Sequence, residues 1–106
     1  MSNPKSCKLD IGQSLKDVPE YVDKLSCVAC NLETLDGIER LSELKWLNCP
    51  KNHLKSLEPL KNLKNLEILE CWGNELESLS GIENSTELEE LYCGLNKLKS
   101  LECIAN

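Results

Sequence analysis

Cysteine is the residue type with the greatest chemical potential in this chain, which has seven cysteines among 106 residues. Cys27 and Cys30 have the Cys-x-x-Cys spacing found in zinc sites and redox-active dithiols. A zinc site would need a second such pair or two downstream histidines, and the sequence contains one histidine, His53. The odd cysteine count leaves at least one thiol unpaired, which favours buried reduced thiols over a disulfide scaffold. We predict no metal site and no cofactor.

The remaining residues that could do chemistry lack the neighbours that chemistry needs. His53 has no periodic partner for acid–base work, and Gly73 and Gly94 do not have the spacing of a phosphate-binding loop. Asn84-Ser85-Thr86 is a glycosylation sequon, which matters only in an exported protein. The sequence therefore predicts a protein that is not an enzyme, with thiol chemistry at Cys27 and Cys30 as the catalytic alternative.

Charge and hydropathy exclude two classes of partner. The net charge of −6, without a run rich in Lys and Arg, opposes binding to nucleic acid. No segment approaches the roughly 20 apolar residues needed to cross a bilayer, so no membrane association is expected. The N-terminal sequence MSNPKSCKLDIG lacks the apolar core of a secretory signal, and we expect a cytoplasmic protein.

Most of the cysteines belong to a sequence repeat with a period of 22 residues. The sixth position of each repeat is a cysteine: Cys27, Cys49, Cys71 and Cys93. Aliphatic residues recur at six further positions, and 26 of the 27 apolar positions through Ile104 hold Leu, Ile, Val or Cys. Asparagine follows at the ninth position as Asn52, Asn74 and Asn96, where the first repeat has Cys30. A fixed period of this length is typical of a solenoid.

The repeat, written LxxLxCxxNxLxxLxx(L/I)xxL, resembles the leucine-rich repeat family, in particular the 22-residue class of bacterial internalins and a eukaryotic phosphatase regulatory subunit. The resemblance covers residues 22–106, about 80% of the chain. It implies an α/β solenoid, a right-handed superhelix with a concave parallel β-sheet and tight turns or 3₁₀ segments on its convex side. It also implies a binding role, but it does not identify the ligand.

The repeat divides the chain into a cap and four repeats. Residues 1–21 do not fit the 22-residue period and are predicted to form an N-terminal cap. In this cap Leu9 and Ile11 alternate as in a short edge strand, before a helical turn entered near Pro19. The repeats span residues 22–43, 44–65, 66–87 and 88–106, and the last is incomplete.

Each repeat is predicted to contribute one strand and one buried asparagine. The strand lies in the LxxLxC portion, with the leucines and cysteine facing the core, which gives four parallel strands. The asparagine side chains are expected to bind backbone groups of adjacent repeats and to form an asparagine ladder. Gly37, Pro59 and Gly81 recur at one later position and mark the return path on the convex side.

The C-terminal end of the repeats suggests a second function. No polar segment follows Leu98, Leu101 and Ile104 to cover the last repeat. Either the array continues in a longer protein, or this edge, with Cys103 beside it, drives self-association. A self-assembling structural protein is therefore the alternative to a binding module.

Large apolar residues outside the repeat positions indicate the binding surface. Strand alternation directs all of them toward the concave face. They are Val28, Trp46, Ile68, Trp72, Tyr92 and Leu95. Their aromatic members could simply pack against one another across adjacent strands about 4.8 Å apart. Exposed aromatic clusters are more often contact sites, and we predict a protein-binding face centred on Trp72.

Charged residues on this face are segregated by sign. Lysines lie on its N-terminal side and glutamates surround the C-terminal aromatics, including Glu70 and Glu90. A solvated acidic rim is one interpretation. The other is a partner that brings Lys or Arg beside an apolar side chain, using carboxylate pairing and cation–π contacts. The predicted partner-binding residues are Trp46, Ile68, Glu70, Trp72, Glu90, Tyr92 and Leu95.

Overall fold

The computed structural model describes residues 5–99, which form an open parallel β-sheet backed by turns and 3₁₀ helices. The strands are β1 (Ser6–Lys8), β2 (Lys24–Ser26), β3 (Trp46–Asn48), β4 (Ile68–Glu70) and β5 (Glu90–Tyr92). The 3₁₀ helices span Leu15–Asp17, Ile38–Arg40 and Glu58–Leu60. The strands pair in chain order, each parallel to the next. This is the solenoid architecture that the repeat predicts.

The repeat period sets the register of the sheet. Leu25, Leu47 and Leu69 are paired with one another across β2, β3 and β4, and all three are fully buried. Cys27, Cys49 and Cys71 follow two positions later and are equally inaccessible. Burial of an aliphatic side chain contributes roughly 1.5–3 kcal/mol, so these columns supply much of the stabilisation of a fold with short strands.

The predicted asparagine ladder is confirmed. Asn52 Oδ1 accepts hydrogen bonds from the amides of Cys30 and Leu32, at 2.9 and 3.0 Å. Its Nδ2 donates to the carbonyl oxygens of Cys27 and Cys49, at 2.9 and 3.1 Å. Asn74 and Asn96 repeat the two bonds donated to cysteine carbonyls, and each Oδ1 accepts from one amide, that of Leu54 or Leu76. Each asparagine therefore ties two consecutive repeats together.

Cys30 takes the asparagine position at the N-terminal end of this ladder. Its thiol lies 2.9 Å from the carbonyl oxygen of Leu9, to which it donates. Leu9 follows β1 at the point where Cys27 follows β2, so this bond is equivalent to the one from Asn52 to Cys27. The thiol thus replaces part of what an asparagine would do, which gives Cys30 a structural role.

The cap differs from its sequence prediction. The edge strand is Ser6–Lys8 rather than the Leu9–Ile11 segment, and Ile11 is 73% exposed. The 3₁₀ turn at Leu15–Asp17 precedes Pro19 and is capped by the Ser14 side chain. Cys7 pairs with Leu25, an interval of 18 residues rather than 22, so β1 adds a fifth strand to the predicted four. Because this interval is 18 residues, β1 does not follow the 22-residue period.

The turns at Gly37 and Gly81 share a side-chain cap. Both glycines have positive φ, 102° and 120°. The amide of each donates to a glutamate two residues later, Gly37 to Glu39 Oε1 at 2.7 Å and Gly81 to Glu83 Oε1 at 2.6 Å. The bond from the Gly81 amide lowers the pKa of Glu83. Pro59 occupies the same position in the intervening repeat, where it has no amide to cap.

At the C-terminal end of the described region, core packing becomes incomplete. Leu88, Leu91, Cys93 and Leu98 pack against the core but are only partly buried. Leu101, Cys103 and Ile104, on which the self-association hypothesis depends, lie outside the described residues, and that hypothesis stays a prediction. Within residues 5–99 no helix is long and apolar enough to span a bilayer.

Candidate functional site

The concave face is the solvent-facing side of the sheet, formed by alternate residues of β2–β5 and the residue two positions after each strand. The side chains form a grid, because strands lie about 4.8 Å apart and alternate residues about 6.6 Å apart along a strand. The grid has one line of three residues for each strand, and equivalent residues of successive repeats are neighbours. The lines are Lys24, Ser26 and Val28 for β2; Trp46, Asn48 and Pro50 for β3; Ile68, Glu70 and Trp72 for β4; and Glu90, Tyr92 and Gly94 for β5.

Trp46 is bound on both sides by residues of its own chain. The Lys24 ammonium lies 3.7 Å from the centroid of the indole ring, a close cation–π contact. The indole nitrogen donates to Glu70 Oε2 at 2.8 Å. These contacts link β2, β3 and β4 across the face. Trp46 therefore helps to order the sheet surface, and its indole N–H is already used.

Trp72 has fewer partners within its own chain. It is partly buried, and Lys51 Nζ lies 5.4 Å from the centroid of its ring. The equivalent residue in the preceding repeat is Pro50, which is buried. The equivalent residue in the following repeat is Gly94, which has no side chain. One flank of the indole is thus covered, whereas the other faces an empty grid position.

Tyr92 and Leu95 are the most exposed large apolar residues beside Trp72. Tyr92 is 48% exposed, and its hydroxyl donates to Glu90 Oε1 at 2.6 Å, which raises the pKa of Tyr92. Leu95 is 80% exposed and has a φ of 53°. A bulky residue in the left-handed region is strained by roughly 1–2 kcal/mol, a cost often associated with functional positions.

Leu95 belongs to a column of left-handed residues that the repeat imposes. Ala29, Lys51 and Gly73 precede it at the same repeat position, with φ values of 52°, 60° and 71°. Amides of this column donate to the carbonyl two residues after the end of the next strand, for example the Lys51 amide to the Trp72 carbonyl at 3.1 Å. Gly73 satisfies this conformation without strain. Leucine is thus a costly choice at a position where glycine occurs one repeat earlier.

The charge asymmetry predicted from the sequence is present on the folded face. Lys24 and Lys51 lie over the two indoles toward the N-terminal strands. Toward β4 and β5, the carboxylates of Glu70 and Glu90 lie on the grid itself. Residues 65–96 contain eight glutamates and no Lys, Arg or His. The charged grid residues of β4 and β5 are therefore both acidic, and the nearest lysine seen on this part of the face is Lys51, 5.4 Å from the Trp72 ring.

The structure brings five of the seven predicted site residues onto adjacent strands, with Trp72 two residues after β4 and Leu95 in the loop after β5. Trp46 and Ile68 are grid neighbours, as are Glu70 and Tyr92. The sequence interpretation placed lysines on this face but missed that Lys24 and Lys51 lie over the indoles, and it also missed the empty position at Gly94. The register identifies these residues as neighbours, but the direction of a flexible lysine depends on its rotamer.

The thiols of the core lie in an environment that opposes reactivity. Burial, and then the neighbouring Cys27, raises the pKa of Cys30. A hydrogen bond with Cys27, together with burial, raises that of Cys49 well above its ordinary value. Burial raises the pKa of Cys71 to about 12. Because the thiolate is the nucleophile, these shifts disfavour catalysis at neutral pH.

Two other surface features concern a metal ion and a groove. Among residues 5–99, no group of three or more His, Cys, Asp or Glu side chains is arranged to hold a metal ion. A groove between the first two repeats is lined by residues such as Glu33, Lys55 and His53, whose Nδ1 lies 3.2 Å from Glu75 Oε2. None of the predicted partner-binding residues lines this groove.

Sequence and structure comparisons identify similar proteins. A family model described as leucine-rich repeats (two copies) matches residues 42–84 and 64–106, more than half of the chain. No curated protein sequence matches significantly. Among solved structures, an internalin (inlF) from Listeria monocytogenes str. 4b F2365 is 31% identical, with a TM-score of 0.79 over 82% of this chain.

A second internalin, internalin C2 (inlC2) of the same strain, has a TM-score of 0.78 over 80% of this chain at 22% identity, a likeness of fold alone. The present chain spans 26% of the length of the first internalin and 38% of the second.

Proposed function

The chain belongs to the leucine-rich repeat family, and we propose that it is a non-catalytic module that binds another protein through its concave face. Solenoids of this kind present an extended surface on a backbone that is already ordered. A partner that binds such a surface incurs little ordering cost on the solenoid's side, which favours affinity.

The observation that carries this proposal is that three of the five exposed large apolar residues within residues 5–99 lie on or beside the concave face, whereas the other two, Ile11 and Tyr21, belong to the cap. Val28, Tyr92 and Leu95 are 43%, 48% and 80% exposed, and Trp72 is partly buried among them. Tryptophan and tyrosine are the residues most enriched among interface hot spots.

The acidic half of the face indicates the chemistry of the partner. Glu70 and Glu90 lie next to Trp72 and Tyr92 on the grid. A segment with basic and apolar residues would pair with these carboxylates and cover the aromatic surface. Because Lys24 already covers Trp46, the cation–π contact anticipated from the sequence has an intramolecular partner at that position.

The proposal predicts that partner capture depends on the concave aromatics. Immobilised chain is used to capture partners from an extract of the source cells, and the captured proteins are quantified by mass spectrometry. Replacing both Trp72 and Tyr92 with alanine should reduce capture at least tenfold, because one hot-spot residue contributes about 2 kcal/mol or more.

The matched control replaces Glu33 and Lys55, two exposed residues away from the face, with alanine. Thermal unfolding should show both double variants folded, since none of the four side chains lies in the core. Capture that survives loss of the aromatics but fails in the control variant would contradict the proposal.

A further inference from the structure

The empty grid position at Gly94 creates a gap beside Trp72. A Cβ built on Gly94 meets no atom within 4 Å. Unlike Gly73, Gly94 does not have a positive φ, so its backbone accommodates any L-residue. Its carbonyl is held in the sheet by the Gly73 amide at 2.9 Å and by Asn96 Nδ2 at 3.1 Å. The backbone at the gap is therefore held in position, and its conformation does not require a glycine.

The gap has apolar walls. Trp72 holds the same position as Gly94 in the preceding repeat, and Tyr92, the last residue of β5, lies two residues before Gly94. Leu95 follows Gly94 directly and is held exposed by its left-handed backbone. The opposite flank of Trp72 is closed, because Pro50 is buried there and Lys51 approaches the ring. One side of the indole is thus open and bordered by large apolar side chains.

Carboxylates are the charged groups on the β4 and β5 part of the grid, whereas Lys51 lies against the opposite flank of Trp72. Glu70 lies opposite Tyr92 on the adjacent strand, about one strand spacing away, and Glu90 lies two residues before Tyr92 on β5. No Lys, Arg or His occurs anywhere in residues 65–96, so no cation of that segment neutralises these carboxylates. Such a field favours cationic partners and disfavours anionic ones.

We propose that this gap, named here the Gly94 slot, receives one large apolar side chain of a partner peptide segment. The slot is bounded by Trp72, Tyr92, Gly94 and Leu95. A Lys or Arg next to that apolar residue in the partner pairs with Glu70 and Glu90. The inference rests on the proposed function, which it makes specific. An extended partner segment places alternate side chains about 6.6 Å apart, the spacing of the grid along a strand. Gly94 is then a specificity-determining residue, because any larger side chain fills the slot.

The experiment uses a phage-displayed library of random 12-residue peptides selected on the immobilised chain. Enriched sequences should contain a large apolar residue with Lys or Arg one or two positions away. One such peptide, made synthetically, is then titrated by fluorescence anisotropy against the wild-type chain and the series Gly94→Ala, Gly94→Val and Gly94→Leu. Affinity should fall progressively with side-chain size, by at least tenfold for Gly94→Leu.

The control Lys55→Leu adds the same side chain at an exposed convex position, away from the concave face, and should bind like the wild type. Gly94→Ala introduces only one methyl group into open space and keeps the series informative if leucine perturbs folding. Charge reversal at Glu90 should weaken binding at low salt more than at high salt.

The outcomes separate the slot from the broader proposal. Suppose that the enriched peptides fail to bind Trp72→Ala but bind every Gly94 variant as well as the wild type. This result would overturn the slot and leave the concave face as the binding surface. Enriched peptides without basic residues, or no enrichment, would also overturn it. Binding indifferent to every concave variant would overturn both inferences.

Discussion

Replacing Asn74 with alanine is expected to lower the free energy of unfolding by about 3 kcal/mol. Asn74 is 7% exposed, and its Oδ1 accepts from the Leu54 amide at 3.0 Å. In residues 5–99 that amide has no other acceptor. The Nδ2 group also donates to the carbonyls of Cys49 and Cys71. The loss would be measured by urea unfolding of the two proteins.

Two comparison variants make this result specific. Asn74→Asp keeps the shape but places a carboxylate against the carbonyl oxygens of Cys49, Cys71 and Trp72, so its loss at neutral pH should exceed that of alanine. Asn65→Ala removes an exposed asparagine with one 3.3 Å bond to the Ser42 carbonyl and should cost less than about 0.5 kcal/mol. Equal losses for Asn74→Ala and Asn65→Ala would show that the ladder does not stabilise the solenoid.

Gly81→Ala is expected to be similarly damaging, with a loss of about 3–5 kcal/mol, because two costs add at this position. Its φ of 120° is unfavourable for a residue with a Cβ. The added methyl group would also clash with the backbone of the preceding repeat, at the carbonyl of Leu57 and the amide of Glu58. The backbone of two repeats would have to separate, and the change would appear as a lower melting temperature.

Gly37→Ala is the matched control for this prediction. Gly37 occupies the same repeat position with a φ of 102°, but a Cβ there would approach the Lys16 side chain at 3.2 Å. A lysine side chain moves aside at little cost, so Gly37→Ala should lose only the backbone strain, roughly 1–2 kcal/mol. The structural explanation is wrong if the two substitutions destabilise the protein equally.

The core and the ladder could be predicted from the sequence because the period fixes both identity and direction of each side chain. Leu47 and Asn52 illustrate this, since each recurs at a constant interval and each has the environment that the repeat predicts. The outward direction of Ile68 and Trp72 follows from the same alternation. Solenoids are favourable for such inference because every repeat contacts mainly its neighbours.

The cap and the details of the face could not be predicted in this way. The 18-residue interval between Cys7 and Leu25 breaks the period, although the pattern Cys7-Lys8-Leu9 beside Leu25-Ser26-Cys27 was an available signal. The contact of Lys24 with Trp46 depends on side-chain rotamers, which sequence periodicity does not specify. The open position at Gly94 became meaningful only once its surroundings were known.

Trp46 and Trp72 illustrate how one surface can combine a structural and a binding role. Trp46 is held by Lys24 and Glu70 and stabilises the arrangement of the grid. Trp72 has an open flank in the acidic half of the face, where no lysine of its own segment competes for the carboxylates. We therefore expect the two indoles to respond differently to a bound partner.

The two tryptophans allow the central claim to be tested directly by nuclear magnetic resonance. A ¹⁵N-labelled chain has two indole N–H signals, which the variant Trp46→Phe assigns. Titration with a peptide from the display selection should shift the Trp72 signal and the amides of residues 90–95 the most, with a smaller change at Trp46. An unmoved Trp72 signal, with the largest shifts at convex residues such as Glu33 and Lys55, would contradict binding at the concave face.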